Sequence, residues 1–205
     1  MDLPNYSIVL KNFYPNKQKL ILLDKNLGKI ECIFISKPNH HICTGTILNY
    51  LLEEKSQIYK ITNYSIEYTP ILLATQNIFF LHKILETTLF FSSFDSQEHS
   101  KHTFNLLCYL YHKGNLNFSI NFQQLSVLKL FLCLGIFHEE KNDWEDAQQI
   151  QSSLGLDKFV DIPLNIKLEL KTELLIDKLI KKLLLEHPSY NYLKTFNFNW
   201  TNNAI

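Results

Sequence analysis

Arginine is absent from this sequence: all 20 basic residues are lysine. Arginine is the usual residue for bidentate phosphate contacts, and lysine supplies only a point charge. Any phosphate contact made here is therefore of the diffuse kind. Glycine is scarce, with five residues in 205, and no Gly-rich run is available to cradle a nucleotide phosphate. No G-x-S-x-G element occurs, which leaves Ser/His/Asp catalysis without a signature. The four cysteines, Cys32, Cys43, Cys108 and Cys133, are far apart and form no C-x-x-C pair, which excludes a zinc ribbon. Three of them sit inside apolar runs and read as small buried hydrophobes. Free thiols suit a reducing cytoplasm. The longest apolar run, Leu130 to Phe137, is too short to span a bilayer. The opening Met-Asp-Leu-Pro-Asn-Tyr-Ser has neither a charged n-region nor an apolar h-region, so no signal peptide is expected. Net charge is also missing: the formal value is +0, so no global field draws the chain to DNA or to a membrane.

What charge there is lies unevenly. Residues 1–45 carry six Lys against three acids, and residues 139–146 carry five acids against one Lys. Hydrophobic residues make up 46% of the chain, enough for a substantial core. From Tyr6 to about Tyr68 the pattern is strand-like. Apolar runs at Ile8–Leu10, Leu20–Leu23, Ile30–Ile35, Thr46–Leu52 and Ile58–Tyr68 are rich in β-branched and aromatic residues. They are separated by Pro15-Asn16, by Lys25-Asn26-Leu27-Gly28 and by the polar link Lys37 to His41. Five strands over some 65 residues predict a small antiparallel barrel. The five-stranded oligonucleotide-binding (OB) barrel is the commonest candidate of that size, with an SH3-like barrel as the alternative.

The pattern changes at Thr69-Pro70. Leu72 to Phe91 has one apolar helical face. Asp95-Ser96-Gln97-Glu98 resembles a capping box that opens a second helix, closed by Gly114. Phe122 to Leu134 is apolar on most of its surface and reads as the central helix. Asp143 caps a helix over Trp144–Leu154. A last helix begins at about Leu164 or Thr172 and runs to Glu186, ended by Pro188. The alternation through Ile162, Leu164, Ile166, Leu168 and Leu170 leaves an extended segment open as the other reading. Strands followed by helices indicate an α+β fold or two abutting domains: an OB-fold barrel over residues 1–70 and a helical domain over 71–205.

Six lysines rim the first three strands: Lys11, Lys17, Lys19, Lys25, Lys29 and Lys37. They are suited to neutralising phosphates with release of counterions. Phe13, Tyr14 and Tyr59 are suited to stacking bases, worth about 1–3 kcal/mol per base. The same residues also read as a solvated barrel surface with aromatics in its core. His40-His41 with Cys43 has no second ligand pair near in sequence, and His99 with His102 has no adjoining carboxylate motif beyond Glu98, so both read as ordinary side chains rather than a metal site. Glu139-Glu140 and Asp143 to Asp146 read as a solvated turn and helix start rather than an acid–base pair. Lys178, Lys181 and Lys182 form a one-sided cluster that reads as a solvated face or as an extension of a DNA path. Tyr190, Tyr192, Phe196, Phe198 and Trp200 read as a tail packed over the barrel or bundle, or as a stacking ladder.

The succession of elements resembles the RecO recombination-mediator family of bacterial DNA repair. The matching stretches are Ile8-Val9-Leu10-Lys11, the apolar second strand, and Leu27-Gly28-Lys29 leading into a strand that ends in Ser36-Lys37. Further on come Phe104-Asn105-Leu106-Leu107, Phe131-Leu132-Cys133-Leu134-Gly135, His187-Pro188-Ser189-Tyr190 and Leu193-Lys194-Thr195. The four-cysteine module of many members and the Arg of their basic loops are absent here. The resemblance implies an N-terminal OB domain followed by a helical domain. It implies single-stranded DNA binding, strand annealing and assistance to recombinase loading. It implies RecR-like and single-stranded DNA-binding proteins as partners. On this reading the protein is cytoplasmic and not an enzyme, with no cofactor, no metal, no membrane contact and no small-molecule substrate. The alternative is a protein-interaction scaffold with an OB-like barrel and little intrinsic DNA binding.

Overall fold

The computed structural model describes residues 4–13, 15–35, 42–55, 58–93, 97–114, 116–136, 162, 164, 166–188 and 190–197. Five strands, β1 (Asn5–Asn12), β2 (Lys19–Asp24), β3 (Gly28–Phe34), β4 (Ile47–Lys55) and β5 (Ile58–Tyr68), close into a barrel in the order β1-β2-β3-β5-β4. All neighbours are antiparallel except β3 and β5, which pair in parallel over Cys32–Tyr59, Ile33–Lys60 and Phe34–Ile61. This is an OB-like barrel rather than the SH3-like alternative, and with the helices that follow it makes an α+β fold.

Alternation along the strands splits their side chains between two cores. Val9, Leu20, Leu22, Ile30, Cys32, Phe34, Leu48, Tyr50 and Ile61 fill the barrel interior. Ile8, Leu10, Leu23 and Ile47 project from its outer surface and join Leu73, Phe80, Ile84, Leu107 and Tyr111 in a second cluster. β1 is therefore buried on both faces through Ser7–Leu10, which is why it reads as an unbroken apolar run. Each fully buried Ile or Leu contributes roughly 1.5–3 kcal/mol. The junction at Thr69-Pro70 is a change of secondary structure with a continuous core running across it.

The interior end of the barrel beneath the β2–β3 turn holds a polar network. Asp24 is fully buried. Its Oδ1 accepts the backbone N–H groups of Asn26 and Leu27, both at 2.8 Å, an Asx-type turn. The Tyr50 hydroxyl donates to Asp24 Oδ2 at 2.7 Å. Ser7 Oγ lies 3.0 Å from that oxygen and 2.6 Å from the Tyr50 oxygen. The turn ends on Gly28 at φ 90, where a side chain would be strained.

Among the described residues the α-helices are α1 (Ile71–Gln76), α2 (Ile78–Phe91), α3 (Gln97–His112), α4 (Ile120–Cys133) and α5 (Leu170–Leu185). The single helix expected over Leu72–Phe91 is two. Asn77 leaves helical geometry at φ -143, ψ 53, and its Nδ2 donates to Leu116 O at 3.2 Å. An Asn prefers such a cap to a helix interior. α4 is buried on nearly every side, as expected of the central helix, and starts at an N-cap, Ser119, whose Oγ accepts from Phe122 N. α5 begins at Leu170, and the described residues among 162–169 are neither strand nor helix. The proposed cap at Asp95-Ser96 and the helix over Trp144–Leu154 lie outside the described residues. After α5 the chain folds back over α2. Glu86 accepts the N–H groups of Lys194 at 2.8 Å and Thr195 at 2.9 Å, and also the Thr195 hydroxyl. No helix among the described residues is long and apolar enough to cross a membrane.

Candidate nucleic-acid interface

In OB-type barrels the face of strands 2 and 3, with the loops joining strands 1–2 and 4–5, is where oligonucleotides bind. The loop between β1 and β2 is tied by Phe13 N to Lys19 O at 3.1 Å and Lys17 N to Phe13 O at 3.0 Å. Upstream of it, β1 carries a bulge. The β1–β2 register passes from Val9–Leu22 to Lys11–Ile21, leaving Leu10 as the extra residue. A bulge re-aims the side chains beyond it. Without it Lys11 would share the inward parity of Val9; with it Lys11 sits opposite Ile21 on the outer face. Both the Lys11 and Lys19 ammonium groups lie over the Phe13 ring, 4.8 and 5.4 Å from its centroid. Each such cation–π contact at an exposed site is worth about 0.5–1 kcal/mol.

Lys19 also pairs with Glu31 at 2.6 Å, both side chains being partly exposed. Exposed pairs of this kind contribute about 0–1 kcal/mol, so a phosphate competes readily for the lysine. Register carries the face onward. Lys19 pairs with Ile33, and Ile33 with Lys60 on β5. Lys60 alternates with the buried Ile61, so it shares the outer face with Lys19. Sequence reasoning does not single out Lys60, although its alternation with Ile61 is an available signal. Glu53 stands opposite Lys60 on β4 and marks the acidic limit of the face.

The six-lysine rim divides. Lys11, Lys17 and Lys19 stand at the β1–β2 loop. Lys25 and Lys29 stand at the β2–β3 turn, a six-residue strand away, which is about 20 Å at 3.4 Å per residue. The Lys25 ammonium lies 5.9 Å from the Phe104 ring centroid on α3. Lys29 is 9% exposed, and its ammonium donates to Leu89 O at the end of α2, at 3.1 Å. Burial holds its pKa below the usual lysine value. Lys29 joins barrel to helices, with its charge at the negative end of α2. Tyr59 has the inward parity of Ile61 and packs partly against the barrel interior. Tyr14 and Lys37 lie outside the described residues.

Cys32 and Cys133 are buried, Cys108 is half-buried and Cys43 is exposed. Burial, then the charges of Glu31 and Asp24, pushes the Cys32 thiol up to about 12. The His99 ring packs beside Gly135. No cluster of three His, Cys, Asp or Glu able to hold a metal occurs among the described residues. Lys178 and Lys181 are exposed on α5, with Lys181 paired to Asp177 at 2.6 Å. In the tail, Tyr190 and Phe196 pack against the helical core while Tyr192 is exposed. His40, His41, Glu139, Glu140, Asp143 to Asp146, Phe198 and Trp200 lie outside the described residues. No protein-family model and no curated protein matches this chain.

Proposed function

We propose that this chain is a cytoplasmic DNA repair and recombination protein, RecO-like, that binds single-stranded DNA, promotes annealing and assists recombinase loading. Single-stranded DNA is its ligand, and RecR-like and single-stranded DNA-binding proteins are its partners. The observation that carries the reading is the Phe13 ring flanked by Lys11 and Lys19 on the loop where OB-type barrels take oligonucleotides. A base stacks on Phe13 while a displaced ammonium turns to the adjacent phosphate. Lys17 and Lys60 extend the cationic track.

Lysine contacts without arginine are point-like and exchange readily. They lower the repulsion between two phosphate backbones without sequestering either strand. That property suits annealing better than tight coating. The protein takes part as a binder, with no acid, base or nucleophile assigned.

The test is binding of a fluorescent single-stranded oligonucleotide by Phe13→Ala and by Lys11→Glu/Lys19→Glu. Phe13→Ala should weaken binding about 5- to 150-fold, the loss of one stacked base. The double charge reversal should abolish binding at moderate salt. Wild-type affinity in both variants would place the DNA elsewhere and defeat the proposal.

A further inference from the structure

Three strands meet beside Phe13, and they bring one acid up to the cationic loop. Glu31 on β3 stands opposite Ile21, which stands opposite Lys11 on β1. Alternation with the buried Ile30 and Cys32 sets Glu31 on the outer face. Its side chain is 50% exposed. Lys19 touches both neighbours: its ammonium is 2.6 Å from Glu31 Oε1 and 5.4 Å from the Phe13 centroid. Glu31 Oε1 therefore stands within about 8 Å of that centroid, on the side where Lys19 lies. Offset-stacked rings have their centres about 4.5–7 Å apart, so a base stacked on Phe13 has its edge within reach of the Glu31 carboxylate. Glu53 is out of reach. It lies three strands from Lys19 along the row Lys19, Ile33, Lys60, Glu53, about 14 Å at 4.8 Å per strand.

We infer that Glu31 makes this stacking site selective for bases with an exocyclic amino group, cytosine and adenine, over thymine. The inference rests on the single-strand proposal and gives it a base preference. A phosphate that takes Lys19 draws it off Glu31. The freed carboxylate accepts hydrogen bonds and donates none. Cytosine N4 and adenine N6 donate to such a group, whereas thymine presents the acceptor O4. In a single strand these edges are open to side chains. With cytosine the broken ion pair is replaced on both sides: Lys19 gains a phosphate and Glu31 gains an amino group. With thymine the carboxylate is left facing a carbonyl oxygen. Cytosine and thymine are single rings of the same size, so the difference between them lies in the edge rather than in the stacked area.

Fluorescence-anisotropy titration of the full chain with oligodeoxycytidylate and oligodeoxythymidylate of equal length tests it, at about pH 8 so that cytosine is neutral. The wild type should bind the cytosine strand about 2- to 12-fold more tightly, the worth of one net hydrogen bond. Glu31→Gln presents an amide donor as well as an acceptor and serves either base, so its ratio should fall to about one. Its affinity for the thymine strand should rise by up to about 5-fold, because no exposed ion pair has to be broken. Glu31 is half-exposed, and circular dichroism checks that the variant folds. A purely structural Glu31 would leave the cytosine-to-thymine ratio unmoved. Equal binding of the two strands by the wild type, or the same ratio in Glu31→Gln, overturns this inference and leaves the single-strand proposal standing. Binding of neither strand overturns both.

Discussion

Asp24 offers the most detailed test of how the barrel is held together. Its carboxylate receives two backbone N–H groups on one oxygen and lies within hydrogen-bond reach of the Ser7 and Tyr50 hydroxyls on the other. Ser7 and Tyr50 are themselves buried. Asp24→Ala removes every acceptor at once. Of the two hydroxyl protons, one can still go to the neighbouring hydroxyl oxygen, because the pair stands 2.6 Å apart. The other is orphaned, at about 1–3 kcal/mol, and the two lost turn bonds add about 0.5–1.5 kcal/mol each. The expected loss is about 3–5 kcal/mol. Asp24→Asn keeps the acceptor for Asn26 and Leu27 and turns an amide donor toward the two hydroxyl oxygens. One hydroxyl proton is again left over, and the loss should be about 1–2 kcal/mol. Tyr50→Phe in the Asp24→Asn background removes the surplus hydroxyl, so it should cost at least 1 kcal/mol less there than in the wild type. Urea denaturation of the four proteins in this double-mutant cycle measures the coupling. Equal losses for Asp24→Ala and Asp24→Asn, with additivity within about 0.5 kcal/mol, would refute the claim that the three residues act as one network.

Three further outcomes follow from single contacts. Lys29→Ala should lower stability by about 0.5–1.5 kcal/mol through loss of its hydrogen bond to Leu89 O between barrel and helices, measured by denaturant midpoint, and leave oligonucleotide affinity unchanged. Gly135→Ala should cost about 1–3 kcal/mol, read as a fall in thermal midpoint, because Gly135 has φ 70 and a Cβ there would stand 2.6 Å from the His99 ring. Lys83, buried on α2 near Phe196, has its pKa lowered from 10.5 to about 8, chiefly by burial, against an opposing pull from Asp177. Between those two values the unfolded chain binds more protons than the folded one, so this residue's contribution to stability rises with pH. Lys83→Met should therefore be the more stable protein at pH 7, with an advantage that shrinks from pH 8 to 10.5 in thermal melts.

Much of the barrel is legible in the chain because its devices are local. Lys25-Asn26-Leu27-Gly28 announces the β2–β3 turn, and the branched residues of Ile30 to Phe34 and Ile58 to Tyr68 announce the strands. The change at Thr69-Pro70 locates the start of the helices. The site is less legible, for reasons of parity and packing. Lys25 and Lys29 look like Lys11 and Lys19 in sequence. Only the helices lying against the β2–β3 end show that Lys29 is covered. Tyr59 looks like an exposed aromatic until the register with Cys32 gives its inward parity. The bulge at Leu10, which turns Lys11 outward, has no local sequence mark. The break at Asn77 depends on the Leu116 carbonyl, 39 positions away.

The lysine track around Phe13 is proposed to bind single strands by diffuse phosphate contact. The most direct measurement is the affinity of the wild type for a fluorescent single-stranded oligonucleotide at 50 and 200 mM salt. On the proposed reading Lys11, Lys17, Lys19 and Lys60 would each neutralise one phosphate; single strands lose about 0.7 in log–log slope per contact, so the slope should be about −3 and affinity should fall about 50-fold. No detectable binding at 50 mM, or an affinity indifferent to salt, would contradict the account.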